Sequence, residues 1–139
     1  MVLYVCTGNT CRSIMAQAVH EWTFGLGTAL SAGLAAHRGE PANPKAVWAL
    51  SQKEIVPHTR TSRPVAEALL AQAETVFGMT EQHAAVLRQR FPAQAAKVQT
   101  LGSLAGLGDI ADPYGGGCEV YETALAQIMA CVAAMVVRA

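Results

Sequence analysis

Apolar residues along the chain form short unbroken runs that alternate with longer stretches of helical spacing. Val2 to Cys6 is such a run, followed at once by the polar turn Thr7-Gly8-Asn9-Thr10, the pattern of a strand buried on both faces. A helix is predicted next, with Ser13 as its cap and Met15, Ala18, Val19 and Trp22 at helical spacing to about Phe24. Ala29 to Leu34 reads as a second strand with a turn at Gly33, and Asn43-Pro44 opens a helix through Ala46, Val47 and Leu50. Ile55 to Pro64 reads as loop and Val65 to Ala71 as a short helix behind the proline. Thr75 to Met79 is a third strand, Glu81 to Arg90 a helix that stops before Phe91-Pro92, and Lys97 to Leu101 a fourth strand. The glycine-rich stretch Gly102 to Gly117 is a long loop, and such loops in small domains are often functional. Val120, Ala124, Ile128, Cys131, Val132, Met135 and Val136 mark a final amphipathic helix from Glu119 to Arg138. Strands alternating with helices predict an α/β fold, a parallel sheet flanked by helices on both faces, with ligands bound beyond the carboxyl ends of the strands.

With 139 residues, 52% hydrophobic and 14% charged, the chain suits one domain spanning 1–139. Ten basic and ten acidic residues leave no basic excess, which argues against nucleic acid and acidic membranes as partners. No secretory leader is read at Met1, and the apolar tract Ala124 to Val137 falls short of the ~20 residues of a membrane span, so it is expected to be a buried helix. Trp22, Trp48 and the methionines are assigned to the core, whereas His20, His37 and His83 carry no signal. Four cysteines in an apolar chain of this size point to a reducing cytoplasm rather than a disulfide-stapled scaffold.

Cys6 and Arg12 bracket Thr7, Gly8, Asn9, Thr10 and Cys11 between the first strand and its helix. Such a loop curls so that backbone N–H groups point inward, and the helix N-terminus adds partial positive charge on the same side. A tetrahedral oxyanion fits there, with Arg12 donating two parallel hydrogen bonds to it and Cys6 beneath the phosphorus. That environment favours the nucleophilic thiolate. The plainer reading, an inert core cysteine before a simple turn, is weakened by the preceding apolar strand, the Gly-Asn turn and Ser13. A leaving group also needs an acid, and the glycine-rich loop offers Asp109 and Asp112, of which Asp112, fixed before Pro113 and beside Tyr114, is the candidate.

Val5 to Ser13, then Ser31-Ala32-Gly33, then Ala111-Asp112-Pro113-Tyr114-Gly115, resemble the low-molecular-weight protein tyrosine phosphatases in order and spacing over nearly the whole chain. The resemblance implies a four-stranded parallel sheet with flanking helices, a phosphocysteine on Cys6, Arg12 as phosphate ligand, and Asp112 as acid then base. Thr7, Gly8, Asn9, Thr10, Cys11, Ser13 and Tyr114 would bind substrate, and no metal or organic cofactor is implied. It also implies that Asn9, Ser13, Ser31 and His58 form a network supporting the loop, and that Cys6 and Cys11 form a reversible protective disulfide. Ile14 and Gln17 depart from the proline and acidic residue common in the family.

Thr10 stands where tyrosine-selective members usually carry a bulky aliphatic and protein arginine phosphatases carry threonine; a polar wall suits a cationic, hydrogen-bonding guanidinium. Tyr114 is followed by Gly115-Gly116-Gly117 rather than by a second aromatic. The chain therefore looks like a protein arginine phosphatase acting as a monomer on phosphorylated proteins. Its alternatives are a tyrosine phosphatase, an arsenate reductase using Cys118 as a further redox cysteine, and a catalytically silent phosphate-binding module. The segment Leu34 to Arg38, following the second strand, is expected to form another wall of the mouth.

Overall fold

The structure, a computed structural model, describes residues 1–138. Strands β1 (Val2–Cys6), β2 (Ala29–Gly33), β3 (Thr75–Gly78) and β4 (Val98–Thr100) form one parallel sheet in the order β2-β1-β3-β4. Val2 lies between Ala29 and Thr75, and Val5 between Ala32 and Gly78. The chain leaves β1 towards β2 and later returns to the other side of β1 as β3. That reversal opens a crevice beyond the carboxyl ends of the central strands.

Among the described residues, five α-helices cover the sheet: α1 (Arg12–Phe24), α2 (Pro44–Gln52), α3 (Glu67–Gln72), α4 (Glu81–Arg90) and α5 (Cys118–Arg138). Successive strand residues point to opposite faces, so the sheet feeds two cores. Tyr4 and Phe77 pack with Met15, Val19, Leu50 and Ile128 of α1, α2 and α5. Leu3, Val5, Ala32 and Val76 pack with Leu70 and Leu87 of α3 and α4. Asn43 caps α2 as its sequence suggests, accepting from Lys45 N at 2.9 Å ahead of Pro44.

The structure departs from the expected elements at several points. Ser13 lies inside α1, whose N-cap is Cys11 without a side-chain cap, because the Ser13 hydroxyl is engaged by the loop instead. Pro64 bridges to Gly33 and Val65 N donates to Gly33 O at 3.0 Å, so this segment stays extended and α3 begins only at Glu67. The fourth strand starts at Val98 because Pro92–Lys97 winds as a 3-10 turn, and Gly102–Ala105 adds another within the long loop. Trp22 is 60% exposed, since the last turn of α1 runs out of the core. Met1 is also exposed.

Helix α5 is long and apolar enough, by length and composition alone, to cross a membrane, but it is not wholly buried as the sequence suggested. One face packs Tyr121, Leu125, Ile128 and Val132 into the core; the outer face carries Ala126, Ala130 and Ala133, which raise the apolarity without being covered.

The sheet margins are occupied. Along β2, Ala29 O accepts from Gln17 Nε2 at 3.2 Å, Ser31 O from Arg63 Nε at 3.1 Å, and Gly33 O from Val65 N. On β4, Val98 O accepts from Arg88 Nη2 at 2.9 Å.

Candidate active site

Residues 6–12 wrap a cavity of about 280 Å³ at the carboxyl end of β1, lined by Cys6, Thr7, Gly8, Thr10, Cys11, Arg12, Glu40, Asp112 and Tyr114. The backbone N–H groups of Thr7, Gly8, Thr10, Cys11 and Arg12 meet no protein acceptor among the described residues, which leaves five donors of the loop free. Neighbouring segments hold the loop from behind: Leu34 N donates to Cys6 O and Ala35 N to Thr7 O, each at 2.9 Å, and Asn43 N donates to Thr10 O. A Cβ on Gly33 would stand 2.5 Å from Thr7 O and 3.0 Å from Asn9 N, so the loop lies against a residue without a side chain. Asn9 takes the left-handed conformation (φ +56°), unusual outside glycine.

Cys6 is 3% exposed, and its sulfur receives the Asn9 N–H at 3.3 Å. Ser13 Oγ lies 3.0 Å from the same sulfur and accepts from Asn9 Nδ2 at 2.7 Å; towards a Cys6 thiolate, which has no proton to give, the hydroxyl is the donor. Two donors on one sulfur stabilise negative charge there. Asn9 Oδ1 in turn accepts from Arg63 N at 3.0 Å.

Arg12, 5% exposed, is braced by Ile110 O at 2.9 Å from Nη1, and its Nη2 lies 3.7 Å from Asp112 Oδ2. Asp112 remains open to solvent and is held by Tyr114 N, 3.1 Å from Oδ1. Asp109 turns away and accepts from Glu81 N at 2.8 Å. Tyr114 is 74% exposed, a free-standing aromatic at the rim. Cys11 is buried, its Sγ 3.5 Å from Tyr121 Oη, and burial pushes both its thiol and the Tyr121 phenol to higher pKa. All four cysteines are free thiols.

Of the four residues expected to support the loop, two are hydrogen-bonded to each other. Asn9 and Ser13 are joined, whereas Ser31 Oγ donates to Gln17 Oε1 at 2.6 Å and Gln17 Nε2 donates to Thr59 Oγ1 at 2.9 Å. His58 takes no part: Ile55 and Pro57 are buried, which turns His58 outward to a separate cavity beside Trp22 and Val56. Leu34 to Arg38 do not line the mouth; the segment braces the loop by its backbone, and Glu40 supplies the wall. Cys118 is exposed and lies outside the cavity lining.

Three contributors carried no signal in the local sequence: Arg63, Tyr121 and His83. His83 Nε2 lies 2.9 Å from Thr7 Oγ1, 76 positions away in the chain, and burial followed by the charge of Arg12 lowers its pKa to about 4.

Residues 1–138 match the family described as low molecular weight phosphotyrosine protein phosphatase. The protein-arginine-phosphatase of Bacillus subtilis (strain 168) is 38% identical over 127 residues, covering 87% of this chain and 84% of its own. A probable low molecular weight protein-tyrosine-phosphatase EpsP of Ralstonia nicotianae is 34% identical over 99% of this chain and 94% of its own. The YwlE arginine phosphatase from Geobacillus stearothermophilus superposes with a TM-score of 0.91 at 35% identity, covering 99% of this chain and 90% of that one. With the loop from Cys6 to Arg12 at the end of β1, its sheet order and a match over residues 1–138, the chain belongs to the low molecular weight phosphotyrosine protein phosphatase family.

Proposed function

We propose that this protein hydrolyses phosphoarginine in phosphorylated proteins through a phosphocysteine on Cys6. The observation that carries the reading is one cavity holding a buried sulfur with two donors aimed at it, an arginine fork, and a solvent-open carboxyl 3.7 Å from that fork. Cys6 Sγ attacks phosphorus while the N–H ring and Arg12 hold the equatorial oxygens. The P–N bond breaks, and the Asp112 carboxyl gives its proton to the departing guanidine nitrogen. Asp112, now a carboxylate, takes a proton from water, whose oxygen displaces Cys6 from phosphorus and releases inorganic phosphate. Asn9 and Ser13 hold the sulfur, whereas Ser31 is tied to Gln17.

Selectivity for arginine rests on Thr10 in the cavity wall and on Tyr114 standing alone before the glycine run. The relatives named protein-arginine-phosphatases support the same choice. The tyrosine reading keeps one observation, the exposed Tyr114 ring at the rim, on which a phenol could stack. Four cysteines in an apolar chain of this size support a reducing cytoplasm as its place, where we propose that it acts as a monomer.

Steady-state comparison of phosphoarginine and phosphotyrosine peptides, with wild type and Thr10→Ile, tests this. Wild type should prefer phosphoarginine and Thr10→Ile should move the ratio of kcat/KM values towards phosphotyrosine, while Cys6→Ser turns over neither. A wild-type preference for phosphotyrosine unaffected by Thr10→Ile would leave the phosphatase and remove Thr10 as its selector.

A further inference from the structure

The two loops of the site meet on the first turn of α4. Thr80 caps that turn, accepting from His83 N at 3.1 Å. Glu81 N donates to Asp109 on the loop that carries Asp112. From the same turn the His83 side chain reaches the other way, to Thr7, the residue that follows Cys6. Gly78 permits this seating, because a Cβ there would stand 2.9 Å from Ala84 N and 3.1 Å from His83 Cβ. His83 is 6% exposed and its buried Nδ1 has no hydrogen-bond partner among the described residues.

Thr7, Arg12, Asp109 and Asp112 act on the His83 ring, and burial with Arg12 keeps it neutral at ordinary pH, so it carries a single N–H. A proton on Nδ1 would be a buried donor with nothing to donate to, the rarer and costlier defect; a bare Nδ1 lone pair is milder. The proton therefore sits on Nε2, and His83 donates to Thr7 Oγ1. We propose that His83 is a positioning residue of the phosphate loop: its Nε2–H fixes the Thr7 side chain against α4, which keeps the Thr7 and Gly8 N–H groups facing the phosphoryl oxygens. The same turn then sets both the oxyanion ring and, through Asp109, the loop of the general acid, so the two halves of the site share one anchor.

The inference rests on the Cys6 phosphatase reading, and p-nitrophenyl phosphate separates the two. If wild type gives no turnover, the reading itself fails. Given turnover, His83→Leu should lower kcat about tenfold with KM changed less than twofold, the mark of donors that matter most in the transition state. His83→Gln, which carries an N–H of similar reach, should recover most of the rate. Thr7→Val should lose as much as His83→Leu, and the double variant no more than either one, because both remove the same bond. Wild-type kcat in His83→Leu, additive losses in the double variant, or a loss that His83→Gln does not restore would each overturn the proposal. If His83→Leu does not fold, Thr7→Val and His83→Gln still decide it: unchanged kcat in Thr7→Val overturns it.

Discussion

Asp109 and Asp112 sit on one loop with opposite employments. Asp109 spends its carboxylate on the N–H of Glu81, whereas Asp112 faces the cavity beside Arg12. Asp112→Ala should therefore cost about 10²- to 10⁴-fold in kcat with a poor leaving group such as phenol, and clearly less with p-nitrophenol, which departs without a full proton. Asp109→Ala should lower stability by about 1 kcal/mol, as loss of a helix-end acceptor does, and by loosening the loop that carries Asp112 should show only a fraction of the leaving-group dependence of Asp112→Ala. Urea unfolding and steady-state rates on phenyl and p-nitrophenyl phosphate check both; a larger leaving-group dependence in Asp109→Ala than in Asp112→Ala would exchange the two roles. At this scale the sequence was readable where partners are near neighbours. Cys6, Arg12 and Ser13 lie within one turn of loop and helix, and Asp112 is marked by its proline. Gln17, Arg63 and His83 were not readable, because each gains its meaning from a residue brought close only by the sheet. His58 shows the converse error, a role carried over by resemblance that the local burial of Ile55 and Pro57 prevents.

Among elements, the phosphate loop depends on β2 as much as on β1 that bears it. Gly33→Ala places a methyl into Thr7 O and Asn9 N, backbone atoms that cannot swing aside. The expected result is a destabilisation of about 1–3 kcal/mol together with a fall in kcat, since the strained Asn9 would be pushed off Cys6. Gly108→Ala is the control: nothing lies within 4 Å of its Cβ position, so unfolding midpoint and rate should stay near wild type. Urea unfolding and p-nitrophenyl phosphate turnover of the pair measure this, and equal behaviour of the two variants would remove Gly33 from the account. Element types were legible because buried parallel strands read as continuous apolar runs and helices keep their period. Boundaries failed where a distant partner intervened: at Ser13, whose hydroxyl the loop takes, and at Val65, held extended by β2.

For the whole molecule, two buried histidines couple stability to acidity. His20, bonded to the Tyr4 hydroxyl and packed on Phe24 near the N-terminal ammonium, and His83 both have pKa values lowered from 6.5 to about 4, chiefly by burial. The unfolded chain takes up these protons as pH falls through 6.5, whereas the folded chain resists until about 4. Their part of the stability is thus intact above pH 6.5 and declines between 6.5 and 4, by up to about 1.4 kcal/mol per pH unit for each ring. Urea unfolding at pH 7 and pH 5 should differ by a few kcal/mol, and a flat profile over that interval would mean that both rings titrate normally. A different consequence follows from the margins of the sheet. A parallel sheet of four strands has two edges, each a template on which a foreign strand can polymerise. Here an amide from α1, a guanidinium and a backbone N–H have taken the outward carbonyls of Ala29, Ser31 and Gly33, and Pro64 has no N–H to offer a newcomer. The opposite edge is only three residues long, with Arg88 on Val98 O. Arg63, which steadies Asn9 through its backbone, thus also guards the native sheet against growing into a cross-β aggregate.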